Sequence, residues 1–255
     1  MDIMKVGLNL IKNCSCSVRL GDNTLKPLQY ELRGYLMNVF DILGPVMIGP
    51  SSSHTAGAAR IGLVTRALLG QEPVSANILL HGSFAKTYKG HGTDKALVAG
   101  ILGMQTDDER IRFSLDEARK QGLAVTITTG EIDGAHPNTA QITLMGKDGK
   151  QVSLLGSSTG GGNILVTRIN GMEVSLTGEK TTLIILHKDA PGTIAAVTEL
   201  VAGYGVNICN FRLSRESKGG QAVMTIEVDG NLGAAINEKI QGLPNIYSSI
   251  MLQPI

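Results

Sequence analysis

Residues 181–255 set the tightest limit on what this chain can fold into. Stretches 182–187, 206–214, 221–228 and 246–252 have the apolar, β-branched character of strands. Helical stretches at 193–202 and 232–241 follow the first and third of them. Pro191-Gly192 precedes the first helix, and Asp229-Gly230 closes the third strand. The order βαββαβ is that of the ferredoxin-like arrangement. The residues before it do not repeat the pattern, so they form a second fold rather than a duplicate, joined through a linker at Gly178-Glu179-Lys180.

Residues 37–178 read differently. A helix is expected over 56–69, because Ala56, Ala59, Leu63, Val64, Ala67 and Leu68 share one face and Gly70 stands at the C-cap position. Residues 51–55 offer a choice of N-caps. A strand is expected over 77–84, helices over 93–102 and 114–121, then strands over 123–129, 139–144, 151–155, 164–169 and 173–176. Lys147-Asp148-Gly149-Lys150 makes a hairpin turn between two of these. Helices first and strands later imply an α+β fold with mostly antiparallel pairing. Residues 1–36 lack a sustained period and read as an N-terminal extension, disordered or upstream of a natural start at Met37. The alternative is an amphipathic arm that packs on a partner.

Composition removes several classes of function. With 42% hydrophobic and 18% charged residues the 255-residue chain is ordinary globular material. A net charge of +1, scarce aromatics and no Trp offer neither a phosphate-binding surface nor a stacking platform, so nucleic acid is not an expected partner. Cys14, Cys16 and Cys209 do not form a disulfide framework, which fits a reduced cytoplasm. No apolar run reaches the roughly 18 residues of a membrane span, and the N-terminal stretch lacks the layout of a signal peptide.

Four loops could carry chemistry. In Gly49-Pro50-Ser51-Ser52-Ser53-His54-Thr55-Ala56-Gly57, hydroxyls and free amides at a helix start suit a carboxylate, and His54 is within reach as acid or base. A serine-rich cap beside an incidental histidine is the plainer reading, and it is favoured for such a string in isolation. In Tyr88-Lys89-Gly90-His91-Gly92-Thr93-Asp94-Lys95, glycines flank His91 before a helix; the alternative is a flexible loop capped by Thr93 or Asp94. Ala135-His136-Pro137-Asn138-Thr139 either presents Asn138 to a ligand or is a wide hairpin. The glycines of Gly156-Ser157-Ser158-Thr159-Gly160-Gly161-Gly162-Asn163 suggest close backbone approach, and no phosphate-loop Lys follows them. The histidines show no metal-pair spacing and the cysteines are too few for an iron–sulfur cluster, so no metal is expected on this chain. In the last part, His187-Lys188-Asp189-Ala190-Pro191-Gly192-Thr193 and Asn207 could contact a small ligand, or the sheet could serve only to dimerise.

Taken in order, these segments resemble one family. The run Asp41-Ile42-Leu43-Gly44-Pro45-Val46-Met47-Ile48-Gly49-Pro50-Ser51-Ser52-Ser53-His54-Thr55-Ala56-Gly57-Ala58-Ala59-Arg60-Ile61-Gly62 is similar to the opening of the β subunit of bacterial iron–sulfur-dependent L-serine dehydratase. Gly82-Ser83-Phe84-Ala85, Lys89-Gly90-His91-Gly92-Thr93-Asp94, His136-Pro137-Asn138-Thr139 and Gly160-Gly161-Gly162 follow in the family's order, and the likeness spans 37–255. The resemblance implies an allosteric-substrate-binding-type α+β domain over 37–178 and an ACT domain over 181–255. It also implies a separate α subunit as partner, carrying a [4Fe–4S] cluster, and L-serine as substrate, broken down through aminoacrylate to pyruvate and ammonia. An open iron of that cluster would polarise the serine hydroxyl. His54 matches the family's candidate base, with His136 and Asn138 on a loop that closes near the substrate. Ser51, Ser52, Ser53 and Thr55 would hold the carboxylate, with weaker carry-over to His91 and the glycine turn at Gly161.

The last part also resembles the serine-binding ACT domain of phosphoglycerate dehydrogenase, which implies an effector site at His187, Asp189, Gly192 and Asn207 and an ACT-mediated homo-oligomer. Asp189 departs from that pattern, because a carboxylate there repels an effector's own carboxylate while favouring its ammonium. A non-catalytic amino-acid sensor is the alternative reading, and a regulatory domain of serine biosynthesis a third.

Overall fold

The computed structural model describes residues 47–233 and 235–254, which belong to one compact unit. The reading of residues 1–36 as an extension lies outside the described residues. The fold is α+β, with two sheets.

The first helix begins earlier than its apolar face suggests. Ser51 caps a π-helical turn, Ser52–Gly57, which runs directly into α1 (Ala58–Leu69). Gly70 ends α1 in the left-handed conformation that a C-cap requires. Then come β1 (Pro73–Leu80), α2 (Gly82–His91), α3 (Thr93–Ile101), a 3-10 turn at Glu109–Phe113 and α4 (Ser114–Lys120). The sheet is completed by β2 (Ala124–Thr129), β3 (Thr139–Gly146), β4 (Gln151–Gly160), β5 (Asn163–Ile169) and β6 (Met172–Leu176).

The strand order is β2-β1-β3-β4-β5-β6; β1 and β2 are parallel and the other pairs antiparallel. Alternation along the strands sends Ile78, Leu80, Ile142, Leu154 and Val166 to one face, where Ile61, Val64, Leu68, Leu97 and Ile101 of α1 and α3 meet them. The two helices approach unusually closely. A Cβ on Gly100 would stand 2.8 Å from the Leu63 amide nitrogen, and one on Gly62 2.9 Å from that of Ile101. Only glycine fits either position.

Three sequence expectations differ from the structure. The strand expected over 77–84 stops at Leu80, and the loop expected around His91 is the end of a helix. Gly82 turns the chain at φ 58, and the Pro137 carbonyl accepts the Ser83 and Phe84 amides at 2.7 and 3.3 Å. A tertiary hydrogen-bond partner thus starts α2 where residue type alone continues the strand. The strand expected over 151–155 likewise extends to Gly160, because β3 and β5 pair with it on both sides.

The second sheet consists of β7 (Thr181–Lys188), β8 (Asn207–Arg215), β9 (Gln221–Asp229) and β10 (Ile246–Leu252), with α5 (Thr193–Ala202) and α6 (Ala235–Gln241) on one face. Its order is β10-β7-β9-β8, antiparallel throughout, which is the βαββαβ arrangement. Leu183, Ile185, Met224 and Ile226 pack under Val197, Val201, Ile236 and Ile240. The opposite face is also covered: Ile184, Val223 and Leu252 join the core of the first sheet. The two sheets therefore share buried side chains.

Candidate active site

One end of the first sheet, where β1 and β4 finish and β3 begins, gathers most of the residues singled out by sequence. The π turn places His54 there, 8% exposed, at the start of the α1 rod. Wide turns of this kind recur at functional positions, because they aim one side chain without breaking the helix. The close approach of Gly57 to Ser158 of β4 lets the turn sit against the sheet; a Cβ on Gly57 would come within 2.7 Å of the Ser158 Cβ.

The His54 ring lies between two serines. Its Nδ1 is 3.3 Å from Ser51 Oγ and its Nε2 3.3 Å from Ser83 Oγ. Ser51 Oγ also accepts the His54 amide. Both ring contacts are long for hydrogen bonds to a nitrogen, so either can be exchanged for a ligand. Phe84 and His91 close the ring in edge-to-face, at centroid distances of 5.2 and 4.7 Å. Burial, and then the neighbouring His91, hold the His54 imidazole below its usual 6.5. Near neutral pH it is therefore unprotonated, the form that accepts a proton.

The serines divide by role. The Ser51 carbonyl accepts the Thr55 amide at 2.8 Å, so Ser51 takes up the amides of both His54 and Thr55. Those of Ser52 and Ser53 remain at the N-terminus of the helix, where an anion is favoured. Ser52 and Ser53 are half-buried, and their hydroxyls make no hydrogen bond among the described residues. Thr55 is buried under Gly49 with its hydroxyl unpartnered.

The loop before β3 is anchored to the same place by its backbone. Pro137 holds the start of α2, and the Asn138 carbonyl accepts the Ser158 amide at 2.9 Å. His136 Nδ1 accepts the Asn138 amide at 3.1 Å, which leaves Nε2 and the Asn138 side-chain amide free of partners among the described residues. Gly160, Gly161 and Gly162 all have positive φ and form the β4–β5 turn. Gly161 is exposed there, while the Gly162 carbonyl accepts Arg60 Nη1 at 2.7 Å.

The structure thus brings His54, Ser51, Ser52, Ser53, Thr55 and His91 together and ties Asn138 and His136 to them through Ser83 and Ser158. Ser83 appeared in the sequence only as part of a resemblance, and Arg60 likewise. Their roles depend on contacts 29 and 102 residues away in the chain, which no local pattern reports.

The residues expected to hold an effector do not converge within one chain. His187 pairs with Ala222, which pairs with Arg215, whereas Asn207 pairs with Asp229 at the other end of the sheet. His187 is buried with Nδ1 on the Lys188 carbonyl at 2.7 Å and Nε2 unpartnered. Asp189 accepts the Gly219 amide at 3.0 Å and Arg215 Nη1 at 2.9 Å, and these hold its carboxyl below the usual carboxylate range. Its charge is therefore already met from within. Gly192 caps α5 at φ 86. Asn207 donates to Asp229 at 3.1 Å.

Comparison with known proteins places this geometry in a family. The family model described as serine dehydratase beta chain matches residues 38–129, and that described as AHAS small subunit-like ACT domain matches residues 183–248. The chain is 46% identical over 209 residues to the probable L-serine dehydratase, beta chain, of Bacillus subtilis, covering 82% of this chain and 94% of that one. It is 37% identical over 207 residues to the L-serine dehydratase, beta chain, of Peptoniphilus asaccharolyticus, covering 81% and 93%. A D-3-phosphoglycerate dehydrogenase of Methanocaldococcus jannaschii shares 34% identity over 99 residues, or 39% of this chain and 19% of that protein. With such coverage of both β chains, and with the serine-rich turn, its histidine and the ACT-type sheet all in place, the chain belongs to the serine dehydratase β-chain family.

Proposed function

We propose that this chain is the β subunit of an L-serine dehydratase that converts L-serine to pyruvate and ammonia, with His54 as the group that removes the α-proton. The observation that carries the reading is a buried imidazole held between Ser51 and Ser83 at an anion-favouring helix start, its pKa lowered by burial and by His91. A serine carboxylate set on the Ser52 and Ser53 amides and hydroxyls, with Thr55 beneath, brings its α-carbon toward the ring. Loss of the α-proton and of the β-hydroxyl as water gives aminoacrylate, which tautomerises and hydrolyses to pyruvate and ammonia. His136 and Asn138 present a free ring nitrogen and a free amide to orient the substrate, and His91 and the Gly161 turn border it.

A [4Fe–4S] cluster does not fit the described residues of this chain. Cys209 is the only cysteine among them, and they contain no cluster of three metal-ligating side chains. The relatives' designation as beta chains supports an α subunit as the partner that holds the cluster and completes the site. Among the described residues no helix is long and apolar enough to cross a membrane, and a cytoplasmic location suits the free Cys209 thiol. The edge strand β8, with Phe211 and Leu213 exposed, suits ACT-mediated pairing of two copies. An effector site that used both His187 and Asn207 would need such a second copy.

The test is co-expression with the partner subunit, anaerobic reconstitution with iron and sulfide, and an assay of pyruvate from L-serine. Turnover should fall at least about 100-fold in His54→Ala, in line with loss of a general base. Equal turnover by that variant removes His54 from the mechanism. Serine binding without pyruvate formation would favour an amino-acid sensor instead.

A further inference from the structure

The first sheet has a second face, and it is not bare. Beneath it lies a cavity of about 480 Å³, the size range of small-molecule sites, bounded on one side by Arg212 of β8 in the ACT-type sheet. His54 does not line it. Its floor is formed by the outward side chains of β4 and β5, among them the half-buried Leu155 and Leu165. At one end stand Arg168, Glu173 and Arg212. Arg168 has no hydrogen-bond or ion-pair partner among the described residues, and Arg212 reaches Glu173 only at 3.7 Å. The loop that carries Asp133 and His136 completes the lining, so a second carboxylate borders the cavity outside the Arg168–Glu173–Arg212 group.

We infer that this cavity is a binding site for an α-amino acid with an aliphatic side chain, separate from the His54 pocket and meeting the candidate active site only at the His136 loop. Two guanidinium groups beside one carboxylate, with Arg212 paired to Glu173 only at 3.7 Å and Arg168 unpaired among the described residues, match a carboxylate and an ammonium on the same small molecule. A dicarboxylate would meet Glu173 unfavourably. The apolar floor beyond, at Leu155 and Leu165, suits a hydrocarbon side chain better than a hydroxyl. The ligand would touch elements of both sheets: Arg212 belongs to the ACT-type sheet and Arg168 to the first.

Two buried hydroxyls join this cavity to the loop of His136 and Asn138. Thr139 Oγ1 donates to the His136 carbonyl and also meets Ser157 Oγ at 2.7 Å, and both Thr139 and Ser157 line the cavity. A ligand that displaces or fixes this pair acts on the loop that presents Asn138. This inference does not rest on the lyase reading.

Isothermal titration of the full chain tests it, with L-leucine, L-serine and succinate as probes. Saturable heat is expected with L-leucine, at least tenfold weaker binding with L-serine, and none with succinate. L-leucine binding should survive His54→Ala and weaken at least tenfold in Arg168→Ala and in Arg212→Ala, each checked for native circular dichroism. The exposed Arg168 keeps the test open even if Arg212→Ala disturbs the interface. Absence of heat with L-leucine, equal binding of L-serine or succinate, or full affinity in Arg168→Ala each overturns the assignment. Pyruvate formation is not the readout, so failure here leaves the proposed lyase activity as it stands.

Discussion

Gly57→Ala tests how the turn that carries His54, the proposed base, is seated. An ideal Cβ at this position lies 2.7 Å from the Ser158 Cβ and overlaps the Ser158 hydroxyl, while the Asn163 carbonyl at 3.6 Å is in ordinary contact. Rotating the hydroxyl away does not relieve the Cβ contact; the two carbons must part by about 0.7 Å to reach the 3.4 Å of ordinary packing. Ser158 cannot yield, because it is fully buried, its amide is bonded to Asn138, and it pairs with Ile164 on β5. The π turn must move instead, and it carries His54. Overpacking of this kind costs about 1–3 kcal/mol. For a chain of this size that corresponds to a fall in Tm of roughly 2–12 °C.

Displacing the imidazole by part of an ångström should lower kcat by about tenfold, since a full ångström can cost about a hundredfold. The assays are thermal denaturation of the chain and pyruvate formation with the partner present. Ser158→Gly removes the opposing carbon, so Gly57→Ala made in that background should cost at least about 1 kcal/mol less than in the wild type. An equal loss of Tm in both backgrounds would refute the steric argument, as would a single variant with unchanged Tm and full turnover.

Four further outcomes follow from the structure. Because burial and His91 lower the His54 pKa, the acid limb of kcat/KM should lie below pH 6.5, and His91→Asn should move it upward; a limb that stays put in the variant removes His91 as a cause. The same depression means the unfolded chain takes up a proton before the folded one does, so the His54 contribution to stability is complete above pH 6.5 and declines as pH falls through the lowered value. A pH titration of denaturant midpoints, with His54→Gln as reference, reads that slope. Gly100→Ala should destabilise by about 3 kcal/mol or more, because its Cβ meets backbone atoms of Ala59 and Leu63 rather than a side chain that can turn aside. Chemical denaturation checks this, and near-native stability would mean that α1 and α3 separate easily. Arg60→Met should cost about 1–2 kcal/mol by removing a charged hydrogen bond to Gly162. It should also speed amide exchange at 160–163, and unchanged protection there would show that the glycine turn holds itself.

The sequence by itself determined the order of elements in the ACT-type sheet, and the helices 193–202 and 114–121 match α5 and α4 closely. Their apolar periods, flanking glycines and turn residues are local signals, and the local signals agree with the tertiary environment. It also marked His54 and the serine run, since a hydroxyl-rich helix start is visible without knowing its surroundings. The structure decided what lies between those marks. Residues 82–84 could continue a strand by their own preference, and became a helix start because the distant Pro137 carbonyl accepts their amides. His91 was legible as a residue flanked by glycines, but only the packing of α2 against the π turn puts its ring 4.7 Å from His54. Ser83 and Arg60 have no sequence signature, because their partners are fixed by chain crossings rather than by spacing. Asn207, which a resemblance grouped with His187, lies at the far end of the same sheet within one chain: strand register, fixed by long-range hydrogen bonds, sets the spacing of two residues whose distance no motif reports.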